Sequence, residues 1–212
     1  MSQKHRITVL AGDGIGPEVM DASLTVLEAV SKKFSLNFVK DSQLVGGAAI
    51  DAVGCPLPAE TIASCEQSDA ILFGSVGGPK WENLPPDQQP ERGALLPLRK
   101  KFNLFANLRP GVCLPSLTHA SPVKNELIPN GFDVLCVREL TGGSYFGQPK
   151  SITEENGDTV ANDTMVNKKS EIKRNACVAL QAAMARENRL SSVDKVKIHP
   201  NRSYCRPNTH QT

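Results

Sequence analysis

Long apolar runs are missing from this chain, and none approaches the roughly 18 residues that a membrane-crossing helix needs. Excess charge of either sign is missing too. Its 24 basic and 22 acidic residues leave a net charge of +2, which gives no electrostatic footprint for nucleic acid or a membrane surface. Met1-Ser-Gln-Lys-His-Arg runs straight into Ile7-Thr-Val-Leu10 without the apolar stretch and cleavage site of a secretory signal, so a cytoplasmic location is expected. Six cysteines, at 55, 65, 113, 136, 177 and 205, form no Cys-x-x-Cys pair and no cluster with histidine. Zinc and a disulfide framework are therefore unsupported. Most of these cysteines sit in apolar runs such as Val134-Leu-Cys136-Val, and reduced structural thiols are expected. No internal repeat is present.

What the chain does have is length and alternation. Its 212 residues can bury a substantial core, as one large domain or one and a fraction. Short apolar runs alternate with longer amphipathic ones, the pattern of an α/β fold. Residues 7–11 read as a buried strand that enters a glycine turn, Gly12-Asp13-Gly14-Ile15-Gly16. A helix should follow, with Val19, Leu24, Leu27 and Val30 on one apolar face. Residues 36–40 read as a second strand, 60–67 as a helix after Pro58, and 70–74 as a third strand. Then comes a long Gly- and Pro-rich loop over 75–93, of a length more often functional than idle. Strand-like runs are expected at 103–108, 132–137 and 144–147, and a helix over 168–188. Ile172, Ala176, Ala179, Leu180, Ala183 and Met184 form its stripe, which needs a partner surface.

The residues richest in chemistry lie in Arg138-Glu-Leu-Thr-Gly-Gly-Ser-Tyr145-Phe-Gly-Gln-Pro149, where a fixed cation and a phenol stand a short turn apart. That pairing suits an anionic substrate that also exchanges a proton. Arg99 and Arg109 each close a short apolar run upstream. A guanidinium forks onto a carboxylate, so three converging arginines would hold a di- or tricarboxylate. A single arginine at an element end is ordinarily a surface charge; three beside a Gly-Gly-x-Tyr turn favour the site. The glycine turn does not match Gly-x-Gly-x-x-Gly, and no acid clearly ends a second strand about 20 residues on, so a tight structural turn explains it without a dinucleotide grip.

Seven stretches together resemble the isocitrate/isopropylmalate dehydrogenase family of metal-dependent, NAD-linked β-decarboxylating dehydrogenases, and within it the branch that acts on isopropylmalate. They are Leu10-Ala-Gly-Asp-Gly-Ile-Gly-Pro-Glu18, Gly77-Gly-Pro-Lys-Trp-Glu82, Pro85-Pro-Asp-Gln-Gln-Pro-Glu-Arg92, Leu95-Leu-Pro-Leu-Arg99, Asn107-Leu-Arg-Pro110, the Arg138 block and Val193-Asp-Lys195. The resemblance runs from Arg6 to Lys195. It implies that family's two-domain α/β fold, which is not a Rossmann fold and is incomplete in this chain. Residues 1–99 would be part of a cofactor-side domain, and 100–195 part of a substrate and dimer domain. The implied activity is NAD-dependent oxidation and decarboxylation in leucine biosynthesis, by a homodimer that uses Mg2+ or Mn2+. Sister enzymes acting on tartrate, malate or isocitrate are the alternative within the family.

The resemblance also implies roles. Arg99, Arg109 and Arg138 would bind substrate carboxylates, and Leu95 and Leu96 would greet an isopropyl group, although core leucines would read the same way. Tyr145 and Lys195 would be the acid and the base, the lysine serving the neighbouring subunit's site; without the family, Lys195 beside Asp194 reads as a surface ion pair. The glycine turn would shape the cleft at the nicotinamide end. Gly78-Pro79-Lys80-Trp81-Glu82-Asn83-Leu84-Pro85-Pro86-Asp87-Gln88-Gln89-Pro90-Glu91 would line the NAD site, with Glu91 nearest the nicotinamide ribose. Composition alone would make this loop a solvent-exposed connector. Ser144 stands where an aliphatic residue is common in the family.

Residues 196–212 contain no acid, two prolines and no amphipathic period, and they are expected to be a disordered tail outside the resemblance. The family's metal-binding aspartates lie beyond Lys195, so no metal ligands are expected here. The chain is then expected to be inactive alone, its 168–188 helix to show an apolar stripe to water, and a non-catalytic truncated product becomes the reading from a different class. A shifted reading frame after Lys195 would account for the change of character. Resequencing through codon 195 is expected to find the family's continuation in another frame; one uninterrupted frame with a genuine stop would refute this.

Overall fold

A computed structural model of the chain describes residues 4–143 and 145–193. They fall into two units, one ending at Phe102 and one beginning at Asn103. Lys195 and the 196–212 segment lie outside the described residues.

The first unit is organised by β1 (Lys4–Gly12), the middle strand of a three-stranded parallel sheet, flanked by β2 (Asn37–Ser42) and β3 (Ala70–Ser75). Ile7, Thr8, Val9 and Leu10 are all buried, as expected of a strand covered on both faces. Ile7 and Val9 cluster with Met20, Leu24 and Leu27 of α1 (Gly16–Phe34). On the other face Leu10 packs with Val45, Cys65, Ala94 and Leu98, and Phe102 packs against that cluster. Four helices thus flank or close the unit: α1, α2 (Gly47–Val53), α3 (Ala59–Glu66) and α4 (Leu96–Lys101). Pro17 starts α1, and Lys32 and Lys33 sit in its last turn, where they complement the helix dipole.

The expected face of α1 is corrected in one place. Val19 is 49% exposed and Met20 takes the inward position, because the stripe running Met20, Leu24, Leu27 is the i, i+4, i+7 series that faces β1. Helix α2 was not expected, since seven residues between two glycines are too short to show a period. Of the described cysteines all are free and only Cys65 is buried, so a structural role holds for that thiol alone; its burial pushes its pKa up.

Beneath β1 lies a polar network. The buried Thr8 hydroxyl pairs with Ser64 Oγ at 2.7 Å and Ser68 Oγ at 2.5 Å. Ser64 donates to Asp41 Oδ2 at 2.8 Å, which also takes Arg6 at 3.1 Å. So β2 does end in an acid, but its carboxylate is occupied in joining β1, β2 and α3.

The second unit pairs β4 (Ala106–Cys113) with β5 (Phe132–Glu139) as an antiparallel ribbon, and α5 (Lys169–Met184) packs on β5. Ala176 and Ala183 of α5 are buried, so its apolar stripe is covered by this ribbon and is not left to water. Met184, 73% exposed, falls outside that stripe. A separate hairpin joins β6 (Lys150–Glu155) and β7 (Asp158–Asp163). Asn156 and Gly157 form its two-residue turn with φ of 55° and 84°, the left-handed pair that matches strand twist. The strand expected at 144–147 is corrected: the described residues there form a turn, and pairing resumes only at Lys150. The strand expected at 103–108 begins at Ala106, because Asn103 is left-handed at φ 49°.

Hydrogen bonds from Ser64, Arg6 and Gln43 hold the Asp41 carboxyl below its usual value of 3.8. A carboxylate with a lowered folded pKa stabilises above its unfolded value, and that contribution disappears as pH falls through the lower, folded one. The melting temperature of Asp41→Asn is therefore expected to lie below the wild type at pH 7, with the gap closing below about pH 4. A gap independent of pH would count against the network.

Candidate active site

At the carboxyl ends of β1 and β3, where parallel sheets present ligand sites, the chain makes a tight turn. Gly12 has φ 79°, and a Cβ there would fall 1.9 Å from the Ser75 carbonyl oxygen. The next residue, Asp13, is 6% exposed. Its backbone N–H donates to Ser75 O at 2.9 Å. Its carboxylate accepts from Gly47 N at 2.5 Å and from Gly77 N at 2.8 Å. One side chain thereby joins the turn after β1, the start of α2 and the loop after β3.

The 78–91 loop is built onto this frame and is no free connector. Trp81 lies over Gly47, where a Cβ would come 2.3 Å from the indole ring. Its Nε1 donates to Asp51 Oδ1 at 3.2 Å, and Lys80 meets Asp51 Oδ2 at 2.6 Å. Gln89 donates to the carbonyls of Glu82 and Leu84, closing the loop on itself. Pro90 is fully buried. The Glu91 carboxylate sits so close to Gly77 that a Cβ there would be 1.8 Å from Oε1. Glycine at 77 is thus required by space and by its φ of 111°.

From Glu91 one wide turn, closed by Leu96 N–H to Glu91 O, leads directly into α4. Ala94 and Leu98 point into the core. Leu95 and Leu96 do not belong to that cluster and are half-buried, as is Arg99. Arg99 follows them by four and three residues, so the three share a helix side. The core-leucine reading therefore applies to Leu98.

In the second unit the register decides the geometry. Asn107 lies opposite Arg138, and Arg109 opposite Cys136. Residues directly opposite, and those two further along, share a face. Arg109 and Arg138 are thus diagonal neighbours on one face of the ribbon, while Leu135, Val137 and Glu139 point the other way. Asn175 of α5 donates to Val137 O at 3.4 Å, consistent with α5 covering that second face. The Arg138 guanidinium stands 5.3 Å from the Tyr145 ring centroid, and Tyr145 is half exposed.

The structure therefore groups Leu95, Leu96 and Arg99 in the first unit, and Arg109, Arg138 and Tyr145 in the second. Lys195 lies outside the described residues. Among the described residues no three His, Cys, Asp or Glu side chains could hold a metal ion. Two residues were given no role from sequence: Asp13, whose signal was an acid between two glycines at a strand end, and Asn107, which the strand register places opposite Arg138.

Comparison with known proteins gives a consistent picture. The model of the isocitrate/isopropylmalate dehydrogenases matches residues 6–209, extending past Lys195. The 3-isopropylmalate dehydrogenase of Geobacter metallireducens is 58% identical over 198 residues, which is 93% of this chain and 55% of that protein. That of Escherichia coli K12 is 54% identical over 93% of this chain and 54% of its own. Isocitrate dehydrogenase from Methylococcus capsulatus superposes with a TM-score of 0.78 at 25% identity, covering 98% of this chain and 56% of that one. A β-decarboxylating dehydrogenase from Thermococcus kodakarensis gives a TM-score of 0.70 at 28% identity, covering 98% and 54%. The chain thus spans little more than half the length of these relatives.

Asp13→Asn replaces one carboxylate oxygen with an amide that faces a backbone N–H, so a loss of about 1–3 kcal/mol is expected. Denaturant unfolding followed by Trp81 fluorescence checks it, and an unchanged midpoint would show that the three loops do not depend on Asp13.

Proposed function

The chain belongs to the isocitrate/isopropylmalate dehydrogenase family, and we propose that its protein oxidises and decarboxylates (2R,3S)-3-isopropylmalate to 4-methyl-2-oxopentanoate in leucine biosynthesis. The observation that carries this is the 58% and 54% identity to two enzymes named for that substrate. The paired leucines on the Arg99 side of α4 support it, because an isopropyl group needs an apolar seat where a carboxylate is held nearby in sequence.

The roles follow from the chemistry of each group. Arg109 and Arg138, on one ribbon face, offer two forked cations to carboxylate oxygens, and Arg99 offers a third. Tyr145 holds a phenolic proton beside Arg138, a cation that keeps anionic substrate near it. Its Oη is the donor to the carbon that loses CO2. Lys195, by resemblance, takes the hydroxyl proton.

NAD is the proposed oxidant and, when bound, accepts the hydride. Gly14 leaves room for it at the β1 turn, beside Gly77: a Cβ on Gly14 would meet only Gly77 O, at 3.8 Å. The Glu91 carboxylate beside them suits ribose hydroxyls. The Gly78–Glu91 loop would line that surface, held in place through Asp51 and Asp13. For Mg2+ or Mn2+ the described residues do not supply a ligand set. The working form is proposed to be a cytoplasmic homodimer. Among the described residues no helix is long and apolar enough to cross a membrane.

Isothermal titration tests the substrate. Burying the isopropyl group contributes roughly 1.5–3 kcal/mol, so 3-isopropylmalate is expected to bind roughly 10–150-fold more tightly than malate, which lacks it. Leu96→Ala should narrow that ratio. Arg138→Gln should weaken binding roughly 10–100-fold by removing a charged hydrogen-bond partner. Equal affinity for both acids would refute the assignment.

A further inference from the structure

On the covered side of the β4–β5 ribbon, opposite Arg109 and Arg138, a polar cluster around one further arginine has no part in the chemistry above. Arg174 of α5 reaches three places at once. Its Nη1 donates to Asn103 Oδ1 at 2.9 Å. Its Nη2 donates to Glu139 Oε1 at 3.1 Å and also to Thr141 Oγ1. The guanidinium lies 4.6 Å from the Phe105 ring centroid. Glu139 Oε1 further accepts from Thr141 N at 3.0 Å and from Thr141 Oγ1 at 2.8 Å. Both charged side chains are largely sheltered, 28% exposed for Arg174 and 22% for Glu139, where such bonds are worth more than at an open surface.

We infer that Arg174 is a positioning residue, which holds Arg138 and Tyr145 in their mutual geometry from behind the ribbon. The connection is through the backbone. Side chains alternate along β5, so fixing Glu139 inward turns Arg138 outward. Thr141 opens the turn that carries the chain from Arg138 to Tyr145. Gly143 N bonds Val166 O at 2.8 Å at the far side of that turn. Leu140 N bonds Phe105 O at 2.8 Å, fastening the ribbon end to the segment Arg174 also grips at Asn103 and Phe105. The turn between the two substrate-facing groups is therefore pinned at both ends, with one of the pins supplied by Arg174. Arg174 lies on the opposite face from Arg109 and Arg138, so it acts through them and not on substrate.

Lysine would keep the charge without the planar fork that serves Asn103, Glu139 and Thr141 together. This separates positioning from simple charge.

The inference rests on the proposed roles of Arg138 and Tyr145, but its test needs no substrate. The chain has two tyrosines, so fluorotyrosine in a Tyr204→Phe background gives one 19F resonance, that of Tyr145. Arg138→Ala defines the displacement caused by losing the neighbouring cation. Arg174→Met is expected to move the resonance by more than half of that displacement, Arg174→Lys by less, and Lys173→Met, on the exposed side of α5, not at all. Thr141→Val, a milder break of the same cluster, should move it in the same direction and serves if Arg174→Met does not fold. A folded Arg174→Met or Thr141→Val protein with the Tyr145 resonance unmoved overturns the inference, as does an equal displacement from Lys173→Met. Failure of the substrate assignment would appear instead in the isopropylmalate titration, leaving this result standing.

Discussion

The buried carboxylate of Asp13 is the constraint on which the loop end of the first unit depends. Three loops leave the carboxyl ends of the parallel strands or open a neighbouring helix, and each carries backbone N–H groups that burial removes from water. A carboxylate can accept from several at once, and charge makes each bond stronger than a neutral one. With Gly47 and Gly77 tied to it, Trp81 has a fixed floor and Glu91 a fixed wall. The glycines are then consequences of close approach. At positions 12, 47 and 77 a side chain would collide with a carbonyl, an indole ring or a carboxylate.

The second unit solves a different problem, that of holding like charges together. Arg109 and Arg138 sit on one face of a two-stranded ribbon, where mutual repulsion works against them. Rigid backbone pairing across the full register supplies the resistance, and α5 braces the other face. Along this ribbon the pleat sends acid and base to opposite sides: Glu139 goes to Arg174 and stays sheltered, while Arg138 goes to the face it shares with Arg109. A polar pair behind the ribbon thus sets the direction of the cation in front of it.

Much of the α/β order was legible. β1, β3 and α1 stood out because their patterns are long and uninterrupted, and the arginines and Tyr145 because they cluster in unusual strings. The departures have local causes. Val19 and Met20 are adjacent apolar residues, and only the angle at which α1 meets β1 selects the second. The β6–β7 hairpin carries little sequence signal because its strands are mostly polar, with Ile152 and Ala161 on one face and Val160 on the other, leaving Asn156-Gly157 as their main signal. The 144–147 segment is rich in residues that could extend, but Gly147 packs so closely that a Cβ would fall 2.0 Å from Thr164 O, and the chain turns instead.

By itself the sequence determined the family and the α/β class, and it named the residues proposed to face substrate. These depend on residue types and their order along the chain. Tertiary structure alone decided which residues lie together. Arg109 and Arg138 share a face because β4 and β5 pair in one register, and a shift of one residue would have put them on opposite sides. Asp13 and Arg174 gained their importance the same way, since each joins segments that are distant in sequence and no pattern along the chain records those contacts.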